Sequence, residues 1–550
     1  MRREVDSLFH SKAPTIAYDS SATTQLNGAI SGQIRAVDAN SDTIKLTVVR
    51  GPSSGSVTVN QDGSFTYIPN PATLVAGGAD SFTVRASDLG GDPLHLNWLV
   101  PARHATNAVV EINTVAQVSP LVTAAEVSTE QRALAIVNSG ALDASMGALK
   151  AKWLATQQQT FADAGGVDAQ NMAQLDGAVK EYAMNAAMTA VNIADDAAGR
   201  PSFFWVAAPA HTINGVRSPG NQVYYDNPDT LYRSAYISAG ASYSIAGKIN
   251  GEIPADVNIS TLTGSSGQSS ATLTGKDLHV NSDGAFTIIA GRDASLAGTP
   301  NYLYLSPDTQ QIFVRNTITD WNASQALSLS IQQTSGTNSM MQAAQITGVA
   351  NGILQQAVNV TTDAWFPLAR KAPVNTLPEP ANAGSQTLST QEQSIGHFNL
   401  ADNQALVVTL APGSAKYFTV PVTNVWTVSP DYSTGVPTSR NNAQAIANPD
   451  GSYTLVISKT DSGVANWVST GGLNQGTIYA RWQGLDANAT VQPTATAQVV
   501  TLDQLKSVLP STTVYFTKQQ RAQEIAERQS GYTLRTAPYL SVGSTPTQSV

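Results

Sequence analysis

The chain has no cysteine, which excludes disulfides, zinc–thiolate centres and thiol nucleophiles together. Charge is scarce too: 13% of the 550 residues are Asp, Glu, Lys or Arg, about half the share of an ordinary globular protein. The net charge is −9 and the Lys and Arg residues are dispersed. A nucleic-acid partner needs a concentrated basic footprint, and none is expected; nor is there a polybasic anchor for an anionic membrane. No window approaches 18 apolar residues, so no membrane-spanning helix is expected. Met1–Asp6 lacks the apolar stretch of a secretion signal, so export would rely on a segment upstream. No nucleophile elbow, P-loop or dinucleotide fingerprint on a strand–helix turn is present. The histidines (His10, His95, His104, His211, His279, His397) are scattered without metal-ligand spacing, so no metal site is expected. His211 and His397 remain candidates as lone bases.

What is present is a 42% apolar fraction, enough for packed cores, set among Ser, Thr, Asn, Gln, Ala and Gly. The length exceeds what one core serves, so two to four domains are expected. From 15 to 115, short alternating runs recur: Ile44–Val49, Gly55–Val59, Ser64–Ile68, Ser81–Arg85 and Leu94–Trp98. Asp62-Gly63 between two of them signals a hairpin, because glycine supplies the positive φ of the turn. This density of strands fits a small β-sandwich.

The run AVDANSDTIKLTVVRGPSSGSVTVNQDGSFTYIPN…GADSFTVRASD resembles the Ig/cadherin-like repeats of bacterial surface proteins, mycobacterial ones especially. Such modules act as spacers or adhesive units, and some hold calcium between repeats. Here Asp38, Asp42, Asp80 and Asp88 would be the acidic ligands. Calcium needs six to eight oxygens, which one module seldom supplies, and turn aspartates are the competing account. No other cofactor is expected.

Beyond 120 the period becomes helical, with helices expected at 142–162 and 169–197. Ala-rich faces there carry Leu175, Val179, Tyr182 and Val191. Alternation returns over 201–335, with Asp283-Gly284 as a second hairpin signal. A helix at 338–364 and a Pro-rich crossing follow within 336–394. A second β region spans 395–505, with Asp450-Gly451 as its turn. A charged helix at 518–529 and a tail complete 506–550. The expected fold class is mainly β with an α+β body: an N-terminal Ig/cadherin-like β-sandwich, a helical segment packed on the following body, then antiparallel β-sandwich layers.

Four polar–aromatic clusters stand out. Tyr224–Arg233 brings together Tyr225, Asp226, Asn227, Asp229, Tyr232 and Arg233. Asp226 and Asp229 could work as acid and base with Arg233 gripping the substrate, or the segment could be a turn locked by an Asp–Arg pair. The second cluster holds Arg315, Asp320 and Trp321. The third holds Trp426, Arg440, Asn441 and Asn442, and the fourth Asn466, Trp467, Gly471, Gly472, Arg481 and Trp482. Aromatic faces among amides and guanidiniums suit stacking on sugar rings; core tryptophans are the alternative. Asp226, Asp229, Tyr232 and Arg233 are expected to share a cleft with Arg440, Asn441, Asn442 and Trp467. These segments (DNPDTLYRSAYI, IFVRNTITDW, SRNNAQAIANPDGSYTLVISKTDSGVANWVSTGG) resemble the actinobacterial domain-of-unknown-function 1214 family over about 170–500. That resemblance implies two β layers with helices and no established activity. Tyr417–Val420 departs from its pattern. Three functions stay open: an exported surface protein that binds or processes polysaccharide, with a glycan or other surface partner; a structural or adhesive protein; and a hydrolase or lyase using paired aspartates.

Overall fold

The computed structural model describes residues 13–26, 29–39, 43–69, 73, 78–90, 104–114, 124–213, 216–249, 252–264, 267–323, 325–382, 384, 388, 390–486 and 488–541. The chain divides into two compact units, Met1–Ser119 with Thr536–Val550, and Pro120–Arg535. The expected strand at 94–98, the boundary near 115–120, and His10, His95 and Asp42 lie outside the described residues.

The first unit is built of β1 (Thr15–Tyr18), β2 (Thr24–Leu26), β3 (Ala29–Val37), β4 (Thr43–Arg50), β5 (Gly55–Val59), β6 (Ser64–Pro69), β7 (Gly78–Gly90) and β8 (Ala105–Thr114). One antiparallel sheet runs β1-β3-β6-β5, with β2 also on β3, and the other β4-β7-β8. Inward residues of both sheets fill the core, where Phe65 meets Phe82 edge-on at 5.4 Å above buried Tyr67, Val84 and Ile112. The Asp62-Gly63 turn closes the β5–β6 hairpin: Gly63 has φ +84°, and a Cβ there would lie 2.0 Å from the Ile34 carbonyl oxygen. Asp80 accepts hydrogen bonds from Ser53 N (3.0 Å), Ser54 N (2.7 Å) and the Tyr67 hydroxyl (2.9 Å). Burial would raise its pKa, but the bonds from Ser53 and Ser54 win and bring it to about 2. Its carboxylate is thus engaged by a turn, and Asp88 pairs with His104 at 3.2 Å.

In the second unit, helices α1 (Ala124–Asn138), α2 (Asp143–Thr160), α3 (Ala169–Ala197) and α4 (Ala343–Asn359) share a core around Trp153, Tyr182 and Trp426. Asp168 starts α3 by accepting from Asn171 N at 2.8 Å. The helix buries Leu175, Val179, Tyr182, Ala186 and Val191 as its period implies, while Met172, of the same pattern, stays exposed.

Its first sandwich comprises β9 (Phe204–Val206), a hairpin of β10 (His211–Ile213) with β11 (Val216–Ser218), β12 (Thr230–Tyr236), β13 (Ser242–Lys248), β14 (Asp256–Thr263), β15 (Gln268–Thr274), β16 (Ala285–Gly291), β17 (Tyr302–Tyr304), β18 (Thr309–Thr317) and β19 (Ser328–Ser335). The sheets run β15-β14-β18-β12-β9 and β17-β16-β13-β19. The Asp283-Gly284 turn leads into β16 as expected, but residues 278–280 before it form no strand. Instead Asn301 brackets His279, donating to its carbonyl at 2.8 Å and accepting from its N–H at 2.9 Å. The second sandwich comprises β20 (Glu392–Asn399), β21 (Gln404–Ala411), β22 (Tyr417–Thr419), β23 (Val422–Thr423), β24 (Tyr453–Ser458), β25 (Trp467–Ser469), β26 (Gln475–Gln483) and β27 (Thr494–Thr501). Its sheets run β20-β26-β22, with β23 also on β26, and β25-β24-β21-β27. The chain is therefore mainly β, with antiparallel sheets and a helical layer.

The C-terminal helix α5 (Lys518–Ser541) is longer than its charge pattern suggests. Arg521, Arg528 and Arg535, seven residues apart, lie on one buried face. Arg521 lies 5.1 Å over Trp467, while Arg528 and Arg535 lie 4.8 and 3.9 Å over Trp321. Gly531 permits this approach, since a Cβ there would stand 2.7 Å from Trp321 Cβ. Gly531→Val is expected to cost about 1–3 kcal/mol through overpacking. Gly177→Ala, on the exposed side of α3 with no atom within 4 Å of the new methyl group, should stabilise by about 0.5–1 kcal/mol. Thermal melts of both variants check the pair.

Candidate functional site

Three strands of the second unit use their two faces differently. On β18, Ile312 and Val314 enter the first sandwich's core while Gln311, Phe313 and Arg315 face away. On β12, Ala235 goes to that core and Tyr232 and Tyr236 face away. On β26, Ile478, Ala480 and Trp482 fill the second sandwich while Tyr479, Arg481 and Gln483 face away. Period-two alternation thus sends the second set of each strand into one cavity of ≈ 250 Å³. Asn185 and Thr189 of α3 and Trp365 close it. Strand pairing sets Tyr232 opposite Arg315 on one side and Val206 on the other.

Two backbone irregularities border this cavity. Tyr224 and Tyr225 are consecutive residues with φ of +56° and +60°, and Ala207 and Thr427 have +59° and +71°. Such conformations cost about 1–3 kcal/mol each and persist only where surroundings hold them. Here Tyr182 holds them: its hydroxyl accepts from Tyr224 N at 2.9 Å and meets Thr427 Oγ1 at 2.8 Å, while Tyr225 N donates to Thr427 O at 3.1 Å. The second irregularity is a π-helical turn, Val360–Trp365, continuing α4. The wider turn carries Trp365 to the cavity, where it stacks on Tyr224 with ring centres 5.4 Å apart.

The charged groups are few. Arg481 lies 3.6 Å over the Tyr479 ring and Arg315 4.5 Å over Phe313, each on the ring two residues earlier in its own strand. Arg481 Nη2 donates to the Tyr225 carbonyl. Among the described residues neither Arg315 Nη1 nor Arg481 Nη1 has a hydrogen-bond partner, and neither does Gln483 Oε1. Asp226 accepts from Gln222 Nε2 at 2.9 Å and Ser429 N at 3.2 Å. Burial raises its pKa against those bonds. Glu181, which accepts from Gln222 N at 2.9 Å, is also raised by burial.

Of the residues singled out by sequence, Tyr225, Asp226, Tyr232 and Arg315 come together at this cavity. Asn227, one residue on, donates to the Tyr417 hydroxyl at 2.9 Å. Asp229, Arg233, Arg440, Asn441, Asn442 and Trp467 are not brought to it. Arg233 donates to Asn316 Oδ1 at 2.9 Å on the opposite face of β12, and burial lowers its pKa to about 10. Arg440 is held by Trp467 O (2.7 Å), Gln444 O (3.1 Å) and Glu524 Oε1 (2.6 Å). Asn441 donates to Thr319 O at 2.9 Å, Asn442 to Lys416 O at 3.2 Å and Asn466 to Ile446 O at 2.8 Å. Trp467 donates to Ser458 Oγ at 3.0 Å. Trp426 stacks on Trp153 at 6.2 Å, and Trp482 is wholly buried. Asp320 accepts from Asn322 N at 2.9 Å beside a second, more open hollow that also takes Trp321 and Arg528. His211 pairs with Glu130 at 2.9 Å and His397 meets Ala369 O at 2.8 Å, both away from the cavity. Sequence reasoning missed Tyr479, Gln483 and Trp365, and it grouped Arg481 with Trp482, of which only Arg481 reaches the cavity. Alternation within IYARWQ carried the signal for Tyr479, Arg481 and Gln483, because Trp482 and Arg481 must face opposite ways.

Asp229 is fully buried and accepts from Trp321 Nε1, the Tyr417 hydroxyl and Thr419 Oγ1, each at 2.9 Å. Its charge faces Arg528 and Arg535. Asp229→Ala strands three donors and two buried cations, so a loss of about 3–5 kcal/mol is expected in chemical denaturation. Asp226 gives a separate prediction in pH. With its folded pKa raised, the native state keeps a proton that the unfolded chain releases, so stability falls as pH rises from the ordinary carboxylate value through the raised one. Asp226→Asn should flatten that decline in melts run from acid to neutral pH; an unchanged slope would refute the assignment.

Compared with known proteins, residues 11–93 match the family model of the bacterial cadherin-like domain. No curated protein matches the chain. Among solved structures, an uncharacterised protein from Burkholderia cenocepacia is similar in fold, with a TM-score of 0.53 at 23% identity over 68% of this chain and 100% of that one. A protein from Vibrio parahaemolyticus matches 50% of this chain and 90% of its own at 12% identity, with a TM-score of 0.33. Residues 11–93, which include β1–β7, therefore carry a bacterial cadherin-like domain, which suggests a surface or adhesive module.

Proposed function

We propose that this chain is an exported protein, at the cell surface or secreted, whose body binds a polysaccharide of the envelope or the environment by taking one sugar unit into the cavity. The cadherin-like module supports a surface setting. The body is read as a region of the actinobacterial domain-of-unknown-function 1214 family, and the module as of the mycobacterial kind. The observation that carries the reading is the lining: the aromatic rings of Tyr224, Tyr232 and Trp365 beside the amides of Asn185, Gln311 and Gln483. Aromatic faces stack on the C–H faces of a sugar while amides bond its hydroxyls. The volume, ≈ 250 Å³, is small beside the ~300–1,000 Å³ of drug-sized ligand sites, so a chain end or a single unit fits, not a long stretch of polymer.

A second reading, processing of that unit, is favoured by Asp226 alone. Burial raises the pKa of its carboxyl at the cavity wall, the direction of shift that a proton donor needs.

A glycan array tests the proposal. Wild type should retain a defined set of glycans, and Trp365→Ala should weaken retention at least tenfold while the chain stays folded by circular dichroism. Retention of no glycan by wild type would leave the adhesive reading in its place.

A further inference from the structure

We propose that the sugar unit held in the cavity is a hexuronic acid, its carboxylate gripped between Arg315 and Arg481; this rests on the carbohydrate reading above. The two guanidiniums come from different sandwiches, β18 and β26, and converge on one space. Each is fixed flat over a ring of its own strand, so its outer edge is pre-aimed and little side-chain freedom is lost on binding. Arg481 is 6% exposed, yet one of its terminal nitrogens has no hydrogen-bond partner, and Arg315 has one in the same state. Buried guanidinium groups are costly without a bonded anion; Asp256 favours the charge of Arg315 from a distance, while the two arginines repel each other.

The carboxyl group at the cavity wall does not fill this role. Asp226 is bonded to Gln222 and Ser429, and burial favours its neutral form. A planar carboxylate from outside would satisfy both open N–H edges at once. Gln483 Oε1 adds a second requirement, because it is a buried acceptor without a partner. The ligand must therefore bring a hydroxyl donor as well as a carboxylate. Inorganic phosphate brings neither a planar carboxylate nor a stackable face, and a plain aromatic carboxylate brings no hydroxyl donor, whereas a hexuronic acid carries both groups on one ring with a stackable face.

Isothermal titration of the full chain with glucuronate and galacturonate, each against its methyl ester, and with benzoate, tests the idea on wild type alone. The free acid of at least one sugar should bind tenfold or more tightly than its ester, and Arg481→Met and Arg315→Met should each remove that preference while Arg481→Lys keeps part of it. Equal binding of acid and ester would overturn the carboxylate assignment and leave the carbohydrate reading standing. Binding of benzoate with neither sugar would overturn the hexuronic acid and the carbohydrate reading together, while keeping the arginine grip. No binding of any probe would overturn all three.

Discussion

The Asp229 carboxylate ties together parts of the body that sequence places far apart. Trp321, at the end of the first sandwich, and Tyr417 and Thr419, on β22 of the second, all donate to it. Arg528 and Arg535 of α5 supply the compensating charge from above the Trp321 ring. A buried carboxylate with three donors and two cations is stable only as a complete set, since loss of any member exposes the desolvation cost of the rest. That requirement fixes the first sandwich against the second, and so sets β18 and β26 at the separation where Arg315 and Arg481 share a cavity.

The cavity follows from strand geometry once that spacing is set. A strand in a sandwich buries one face in its own core, and the other face must be covered by something. For β12, β18 and β26 the cover at the cavity is α3 and the π-helical turn, which do not fill the space completely. The remaining volume collects what a core rejects: guanidinium groups, amides and tyrosine hydroxyls. The strained pair Tyr224-Tyr225 belongs to the same logic. Arg481 and Thr427 hold the two backbones in positive φ, and the energy needed comes from the packing around Tyr182.

Much of the fold was legible in the sequence because it is written in local signals. Asp62-Gly63 with its flanking alternation specified the β5–β6 hairpin, and the Ala, Val and Met stripe of 169–197 specified α3 to the residue. The failures were of two kinds. Residues 278–280 alternate like a strand, but the Asn301 side chain takes the backbone groups of His279 that a ladder would have used. The site was only partly legible, since proximity in sequence was taken for proximity in space. Asp226 and Asp229 are three residues apart, yet one lines the cavity and the other is the hub between layers. Among the tryptophans, Trp321 and Trp467 carry the arginines of α5, Trp426 stacks on Trp153, and Trp482 plugs a sandwich. Arg481, grouped with Trp482 by sequence, turns the other way to the cavity, a separation that appears only when period two is applied to each strand in turn.

The scarcity of charge gives these arginines their weight. In a chain with 30 Lys and Arg residues in 550, surface solubility rests on hydroxyls and amides, and several arginines lie inside the body. A flat aromatic face recurs beneath them: Trp467 under Arg521, Trp321 under Arg528 and Arg535, Phe313 under Arg315 and Tyr479 under Arg481. The ring replaces part of the lost hydration while leaving the N–H edge open. Along α5, Arg521 bonds Asp461 at 3.0 Å, while Arg528 and Arg535 lie within electrostatic reach of Asp229 without bonding it. In the cavity the same construction is used, but the acid at the wall is one that burial favours as neutral. The cavity differs in having unfilled volume beside its arginines, Arg315 and Arg481, each with one terminal nitrogen that lacks a hydrogen-bond partner.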